Sequence, residues 1–329
     1  MNQLKHIVIS GGGPLFIYGF GVFRELVKRR RLSIESIESI HGTSSGSIIA
    51  FILASKLDMN NVCDYLTNFP YNKYFSLKID TMFRLNSKQG VFNKNQIDFF
   101  IDPLLKTLNW DLDICLADVN LKTGINLHIY SSNLNTFDII DFNHIDYPYI
   151  TLKDAIYASC AHPILFEPHY LCLTKEDTTK TCLIDGGLFC NVPLGACIER
   201  YYEKDFNKFQ FTEHDGSNDK LDNCKNEIFC LHYAKYDQKL MLYENDSFIN
   251  YIKILLVKMI LGSEKHTLAN LLPFINNNFA ITLNGDELDW NLLLKDITMR
   301  ERAMGEVSKN QVSAFLKKRG DNEIHSDIT

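Results

Sequence analysis

The first 57 residues contain one succession twice: a short apolar run, a glycine-containing break, and an apolar segment with helical spacing. The first copy has the run His6 to Ser10, the loop Gly11 to Pro14 and a helical pattern from Ile17 to Arg31. The second copy has the run Ile37 to His41 and breaks at Gly42 to Gly46 before its helix. Buried strands joined through helices form parallel sheets that are covered on both faces. The sequence therefore predicts a three-layer α/β/α sandwich with a mostly parallel central sheet.

The rest of the chain continues the mixed pattern. We predict helices near residues 60–69 and 95–108, a strand pair at 125–131 and 137–142, a helix capped by Thr151 that stops before Pro163, and a strand at 182–184. A polar segment from Tyr202 to Glu227 is interpreted as a surface insertion. The predicted organisation is a catalytic domain over residues 5–200, followed at 201–329 by this insertion and a largely helical extension packed on the same domain.

Charge and composition exclude several classes of protein. A formal net charge of −6 leaves no surplus of cations for general nucleic-acid binding. No secretory signal is visible, and nine cysteines without CxxC or Cys/His spacing indicate reduced thiols and no zinc site. We therefore expect a cytoplasmic protein.

One apolar stretch bears on membranes. No uncharged run is long enough to span a bilayer, because Lys253 and Lys258 interrupt the stretch from Phe248 to Leu261. We predict a helix packed in the core there, and the alternative is an interfacial helix or a lid over an acyl cleft.

The segment Gly42-Thr43-Ser44-Ser45-Gly46 has the form G-x-S-x-G between an apolar strand and an apolar helix. Such a turn exposes a strained serine, and it requires small residues two positions away on each side. The following helix directs its first amides toward a developing oxyanion. A plain strand–helix turn or an anion-binding loop would have the same pattern.

The loop Ser10-Gly11-Gly12-Gly13-Pro14 ends the neighbouring strand. Its unobstructed amides suit an oxyanion hole, although a dinucleotide-binding loop also begins with strand, glycines and helix. That alternative requires a glycine near position 16 and an acid after the second strand. The chain has Phe16 and His41-Gly42 at these positions instead, and these residues disfavour a dinucleotide-binding loop.

A third element, Asp185-Gly186-Gly187, is by itself a common turn sequence. The glycine loop, the serine turn and this aspartate turn follow one another along the chain in an order that resembles the patatin-like phospholipase family. Ala155 to Pro163 and Asn191-Val192-Pro193 are also similar to it. The resemblance covers about residues 7–200. The sequence as a whole is similar in character to patatin-like proteins of large DNA viruses.

The resemblance implies a lipid acyl hydrolase of phospholipase A or lysophospholipase type, which acts at a membrane or micelle surface without metal or cofactor. It implies that Ser44 is the nucleophile and Asp185 its general base, with no histidine. The implied oxyanion amides are those of Gly11, Gly12, Gly13 and Ser45, and the implied turn glycines are Gly42, Gly46, Gly186 and Gly187. Acyl transfer to an alcohol, or non-catalytic lipid or nucleotide binding, remains as an alternative. If the chain is viral, the implied location is the host cytoplasm, peripherally on membranes.

The chain departs from the family pattern at Leu15 and Phe16, where a basic or polar residue and then glycine are usual. We expect Phe16 to pack in the core, and the alternative is that its ring narrows the acyl channel. A triad would need a histidine, but we expect His41 to be a packed core residue and His162 and His169 to be structural.

Overall fold

A computed structural model describes residues 4–75, 85, 87–202, 219–234 and 243–320 of the chain. The strands are β1 His6–Ile9, β2 Ser39–Thr43, β3 Gly90–Phe92, β4 Asn126–Asn133, β5 Asp138–Phe142, β6 Ile164–Phe166, β7 His169–Leu171, β8 Thr181–Asp185, β9 Ile228–Tyr233 and β10 Asn277–Ile281.

The α-helices alternate with these strands along the chain. They are α1 Phe16–Lys28, α2 Ser45–Ala54, α3 Met59–Asn68, α4 Tyr71–Tyr74, α5 Lys94–Thr107, α6 Leu116–Thr123, α7 Leu152–Cys160, α8 Gly187–Cys190, α9 Leu194–Tyr202, α10 Asp219–Glu227, α11 Phe248–His266, α12 Trp290–Lys295, α13 Ile297–Arg302 and α14 Ser308–Lys318.

The central sheet has the strand order β10-β9-β1-β2-β4-β8-β7, and β5 also pairs with β4. The strands from β10 to β4 are parallel to their neighbours. Strands β5 and β8 run antiparallel to β4, and β7 runs antiparallel to β8. A separate parallel pair joins β3 to β6. Helices cover both faces of this mostly parallel sheet, so the predicted fold class is confirmed.

The strand side chains alternate between two apolar clusters, one on each face of the sheet. In β1, Ile7 and Ile9 belong to the larger cluster and Val8 to the smaller one. The larger cluster also contains the apolar side chains of α1 and α2, whereas Leu194 and Ile198 of α9 lie in the smaller one. Burial on both faces explains why these strands appear in the sequence as continuous apolar runs.

The local predictions agree with the structure over most of residues 5–200. The strand pair β4–β5 is antiparallel, and the Thr151 hydroxyl accepts a hydrogen bond from the Asp154 amide at 3.1 Å to cap α7. Strand β2 begins two residues later than predicted, because Ile34–Ser36 forms a 3₁₀ turn that delays it. Within the expected insertion, 203–218 lie outside the described residues, and 219–227 form α10.

The C-terminal part contributes strands as well as helices. Strand β9 pairs with β1, and β10 pairs with β9, so both belong to the central sheet. The division at residue 200 stays a prediction. No helix in the described part of the chain combines the length and the apolar character that a bilayer span requires.

Candidate active site

Strand β4 brings the predicted serine and aspartate together. Two consecutive residues of β4 have different partners: Tyr130 pairs with Thr43 at the end of β2, and Ser131 pairs with Asp185 at the end of β8. Because β2 and β8 approach from opposite directions, their ends meet there. The Ser44 hydroxyl donates a 2.7 Å hydrogen bond to Oδ2 of Asp185, across 141 residues of sequence.

Ser44 has an unusual backbone conformation, with φ 51° and ψ −131°. It precedes the first residue of α2, and its amide points away from the helix to the Ser159 hydroxyl, at 2.8 Å. The turn is tight. A Cβ atom added to Gly42 would lie 2.6 Å from the carbonyl oxygen of Gly46, and a Cβ atom added to Gly46 would lie 2.6 Å from the carbonyl oxygen of Ile9. These contacts explain why the predicted glycines flank a strained serine.

The Asp185 carboxylate is buried, with 3% of the residue exposed. Its Oδ1 accepts a 2.7 Å hydrogen bond from the Gly187 amide, and a Cβ on Gly186 would collide with the Tyr130 carbonyl. Burial raises the pKa of Asp185 above its ordinary value, against opposing effects of the charge of His162 and of the hydrogen bonds from Ser44 and Gly187. A raised pKa makes this carboxylate a stronger base than an exposed one.

The glycine loop lies beside the serine turn, but its amides are not equivalent. The Gly11 amide donates to the Asn191 carbonyl at 3.2 Å, so it has no hydrogen left for an oxyanion. The expected role of Gly11 as an oxyanion donor stays a prediction, and this hydrogen bond disfavours it, because the amide anchors the loop to the residue after α8. The Gly12 amide donates to the Ser45 hydroxyl at 3.2 Å.

Two of the other predicted donors each lie at the start of a helical turn. Gly13 begins a 3₁₀ turn with a φ of 55°, a conformation that favours glycine. Ser45 is the first residue of α2, whose first amides have no acceptor within the helix. Gly13 and Ser45 are therefore the candidate oxyanion donors, and Gly12 could join them if the Ser45 hydroxyl rotates.

These three turns lie within one matched region. The family model described as patatin-like phospholipase matches residues 7–198, which is more than half of the chain. The chain belongs to the patatin-like phospholipase family. The matched residues include the glycine loop, the serine turn and the aspartate turn.

Curated relatives of this family member include viral proteins. The chain is 22% identical over 206 residues to "Probable lipid hydrolase 463L" of Invertebrate iridescent virus 6, a match that covers 62% of this chain and 67% of the relative. It is 24% identical over 195 residues to uncharacterized protein R571 of Acanthamoeba polyphaga mimivirus, and this match covers 59% and 61% of the two chains. The matches therefore span about two thirds of the relatives, or less.

Two solved structures are also similar to this patatin-like chain. VipD from Legionella pneumophila matches with a TM-score of 0.47 and 14% identity, over 96% of this chain and 67% of VipD. The type III effector protein ExoU matches with a TM-score of 0.45 and 14% identity, over 96% of this chain and 53% of ExoU.

Several side chains that the sequence did not assign a role support this patatin-like site. The Ser159 hydroxyl, which accepts from the Ser44 amide, donates to the Tyr130 carbonyl at 2.5 Å. Asn191 donates through Nδ2 to the Gly11 carbonyl and to the carboxylate of Glu264 on α11. Ser159 and Asn191 lie in stretches that resemble the family, but Glu264 lies beyond the matched region, and only the tertiary structure brings it to the site.

The three histidines named in the sequence have other surroundings. His41 is fully buried, with Nδ1 at 2.8 Å from the Tyr130 hydroxyl and Nε2 at 3.0 Å from that of Ser39, so the core position is confirmed. His169 contacts Asp154, with 3.0 Å between Nε2 and Oδ1. His162 lies 2.8 Å through Nδ1 from the Pro163 carbonyl and acts on Asp185 through its charge.

The part of the chain that the structure covers contains neither a disulfide nor a cluster of metal ligands. All nine cysteines are free thiols. Among the described side chains, no group of three or more His, Cys, Asp and Glu could hold a metal ion.

Proposed function

We propose that this protein is a lipid acyl hydrolase of phospholipase A or lysophospholipase type, with Ser44 as nucleophile and Asp185 as general base. The observation that carries the proposal is the 2.7 Å hydrogen bond from the Ser44 hydroxyl to a buried carboxylate with a raised pKa. Membership of the patatin-like phospholipase family and a relative named as a probable lipid hydrolase agree with it.

In the proposed reaction, Asp185 accepts the Ser44 hydroxyl proton as Oγ attacks the ester carbonyl carbon. The developing oxyanion binds the amides of Gly13 and Ser45 at the start of α2, where the helix dipole also favours negative charge. The proton passes to the departing alcohol, and an acyl-enzyme on Ser44 remains. Asp185 then takes a proton from water as the water oxygen attacks the acyl carbon, and it returns that proton to Ser44 Oγ as the bond to the serine breaks and the fatty acid leaves.

The proposed site of action is a membrane or micelle surface facing the cytoplasm, since the substrate's acyl chains are apolar. Acyl transfer would differ only in the last step, with an alcohol in place of water. Mass spectrometry of the products from vesicles of mixed lipids separates the two, because hydrolysis gives free fatty acids whereas transfer gives new esters. The same panel would identify the lipid class and the ester position.

Serine modification and substitution test the proposal directly. A fluorophosphonate probe should label the parent protein and not Ser44→Ala, whereas a non-catalytic binding module would remain unlabelled. Ser44→Ala and Asp185→Asn should each lower turnover of a soluble short-chain ester by about a thousandfold or more, and the double variant should lose no more. Turnover should persist in excess EDTA. Near-parental turnover by Asp185→Asn would contradict the dyad.

The stability of Asp185→Asn provides the control for folding. A carboxyl group whose pKa is raised by folding is harder to ionise in the folded state than in the unfolded state, so its charge destabilises the protein at neutral pH. Asparagine removes that charge and can still accept from the Gly187 amide. The variant should therefore unfold at the same or a higher temperature than the parent at pH 7, while it is inactive.

A further inference from the structure

Helix α11 is apolar around most of its circumference, yet one side of it faces outward. Ile254 and Glu264 are buried, while Tyr251, Leu255 and Met259 are 43%, 41% and 43% exposed. These three follow at intervals of four, so they lie on one face of the helix. We call this face, Tyr251, Leu255 and Met259, the α11 stripe. The prediction of a core helix is therefore correct for only one side of α11.

The buried side of α11 lies against the candidate active site. The helix packs on α8, which begins two residues after Asp185. Its Glu264 carboxylate accepts a hydrogen bond from Asn191, which also donates to the Gly11 carbonyl. Met259 precedes Glu264 by five residues, or roughly 8 Å along the helix axis. The nearest residue of the α11 stripe is therefore less than two helical turns from the carboxylate that contacts Asn191.

The charges on α11 indicate which kind of surface the α11 stripe fits. The helix has three lysines in its sequence and a single acid, Glu264, which is buried against Asn191. Lys258 is exposed beside the stripe. The chain as a whole has a net charge of −6, so a helix face with an exposed lysine, on a helix whose one acid is buried, differs locally from the rest. Apolar side chains flanked by lysine are typical of helices that lie in the interface of anionic membranes.

We propose that the α11 stripe docks on an anionic lipid surface and holds the glycine loop and Ser44 at that surface. This inference rests on the proposed function, because a lipid ester must reach Ser44 from a bilayer or micelle. Docking through α11 would shorten that path, since the inner side of the same helix contacts the site. The apolar side chains would enter the acyl boundary while Lys258 meets anionic head groups.

Vesicle binding in the Ser44→Ala background tests docking without hydrolysis. The probes are vesicles of phosphatidylcholine alone and vesicles with about 30% phosphatidylserine, at low and at physiological salt. We expect tighter binding to the anionic vesicles, weakened by salt. Leu255→Asp with Met259→Asp should weaken that binding by about tenfold or more, and Lys258→Glu should remove the preference for phosphatidylserine. The matched control is Leu121→Asp on α6, whose leucine is 81% exposed and outside the stripe.

Circular dichroism and melting temperature identify any variant that fails to fold. If the double aspartate variant fails to fold, the double variant Leu255→Ser with Met259→Ser is used in its place. Unchanged vesicle binding by the folded double variant, or an equal loss in Leu121→Asp, would overturn the proposal. If the parent protein is a dimer and the folded double variant is a monomer that binds vesicles as the parent does, the stripe instead joins two copies of this chain. Because Ser44→Ala has no nucleophile, this result stands apart from that of the proposed hydrolysis.

Discussion

At the scale of single residues, the proposed chemistry depends on the balance of forces on one carboxylate. Asp185 is buried, which raises its pKa, but two hydrogen bonds and the charge of His162 stabilise the ionised form. A general base has to be ionised to act, and it becomes stronger as its pKa rises toward the working pH. These opposing effects are consistent with the proposed role of Asp185 as a general base that acts without a histidine.

This balance predicts the acid limb of the pH profile. Asp185 must be ionised, so kcat/KM for a soluble ester should fall as the pH drops through its raised pKa, which is above the ordinary value of about 3.9. His162→Gln removes a charge that lowers this pKa, and the acid limb should move to higher pH. His169→Gln is the control, because His169 pairs with Asp154 instead. An acid limb that moves equally in both variants, or in neither, would contradict this role for His162.

At the scale of elements, adjacent strands place a row of histidines inside the sheet. His6 on β1, His41 on β2 and His128 on β4 are buried, and the rings of His41 and His128 stack with centroids 4.3 Å apart. Ser39 lies within hydrogen-bond distance of both His6 and His41. Burial lowers the pKa of His6 to about 4 and lowers that of His41 well below its ordinary value.

The histidine row predicts a loss of stability in acid. Between pH 6.5 and about 4, the unfolded chain binds a proton at His6 that the folded protein excludes, so the free energy of unfolding falls as the pH falls. The shift corresponds to roughly 3 kcal/mol from His6 alone. Urea unfolding at pH 7 and pH 4.5 measures this, and His6→Gln should have the smaller difference between the two. Equal differences in parent and variant would exclude His6 as the cause.

Helix α1 begins with Phe16, where the family usually has glycine. Phe16 is buried in the larger apolar cluster, and its ring meets Phe100 of α5 edge to face, with 5.9 Å between centroids. Its burial agrees with the expected core position. An aromatic side chain there stabilises the start of α1 against α5.

Phe16→Ala should therefore cost about 3 to 5 kcal/mol in the free energy of unfolding, because it leaves a cavity between α1 and α5. The preference among ester substrates of different acyl length should stay unchanged. Phe99→Ala is the matched control on α5, because Phe99 is half exposed and its loss should cost little. A shift toward longer acyl chains with unchanged stability would instead place the Phe16 ring in the acyl channel.

At the scale of the whole molecule, the sheet is completed by residues far from the candidate site in sequence. Strand β1, which leads into the glycine loop, exchanges hydrogen bonds with β2 on one side and with β9 on the other. Without β9, the residues from His6 to Ile9 would form an exposed apolar edge, which favours aggregation.

A chain that ends at residue 200 should consequently fail to fold, although it contains every residue of the proposed dyad and oxyanion hole. Thermal unfolding followed by circular dichroism would measure this, with a chain ending at residue 320, which keeps every described element, as the control. A cooperative transition in the shorter chain, together with fluorophosphonate labelling of Ser44, would show that residues 5–200 are an independent domain.

The sequence by itself determined the local features. Apolar runs that end in glycines predict parallel strands followed by tight turns, because steric rules act over a few residues. The G-x-S-x-G turn therefore located Ser44 and its glycines, and the resemblance to the family pointed to Asp185. The cap at Thr151 and the end of α7 before Pro163 followed in the same way.

Only the tertiary structure decided which distant groups meet. The antiparallel approach of β8 to β4 brings Asp185 to Ser44, and packing of α11 brings Glu264 to Asn191. The tertiary structure also pairs the Gly11 amide with the Asn191 carbonyl and leaves one side of α11 facing outward. Strand order and helix docking depend on the summed burial of the whole chain, and no local pattern of residues specifies that sum.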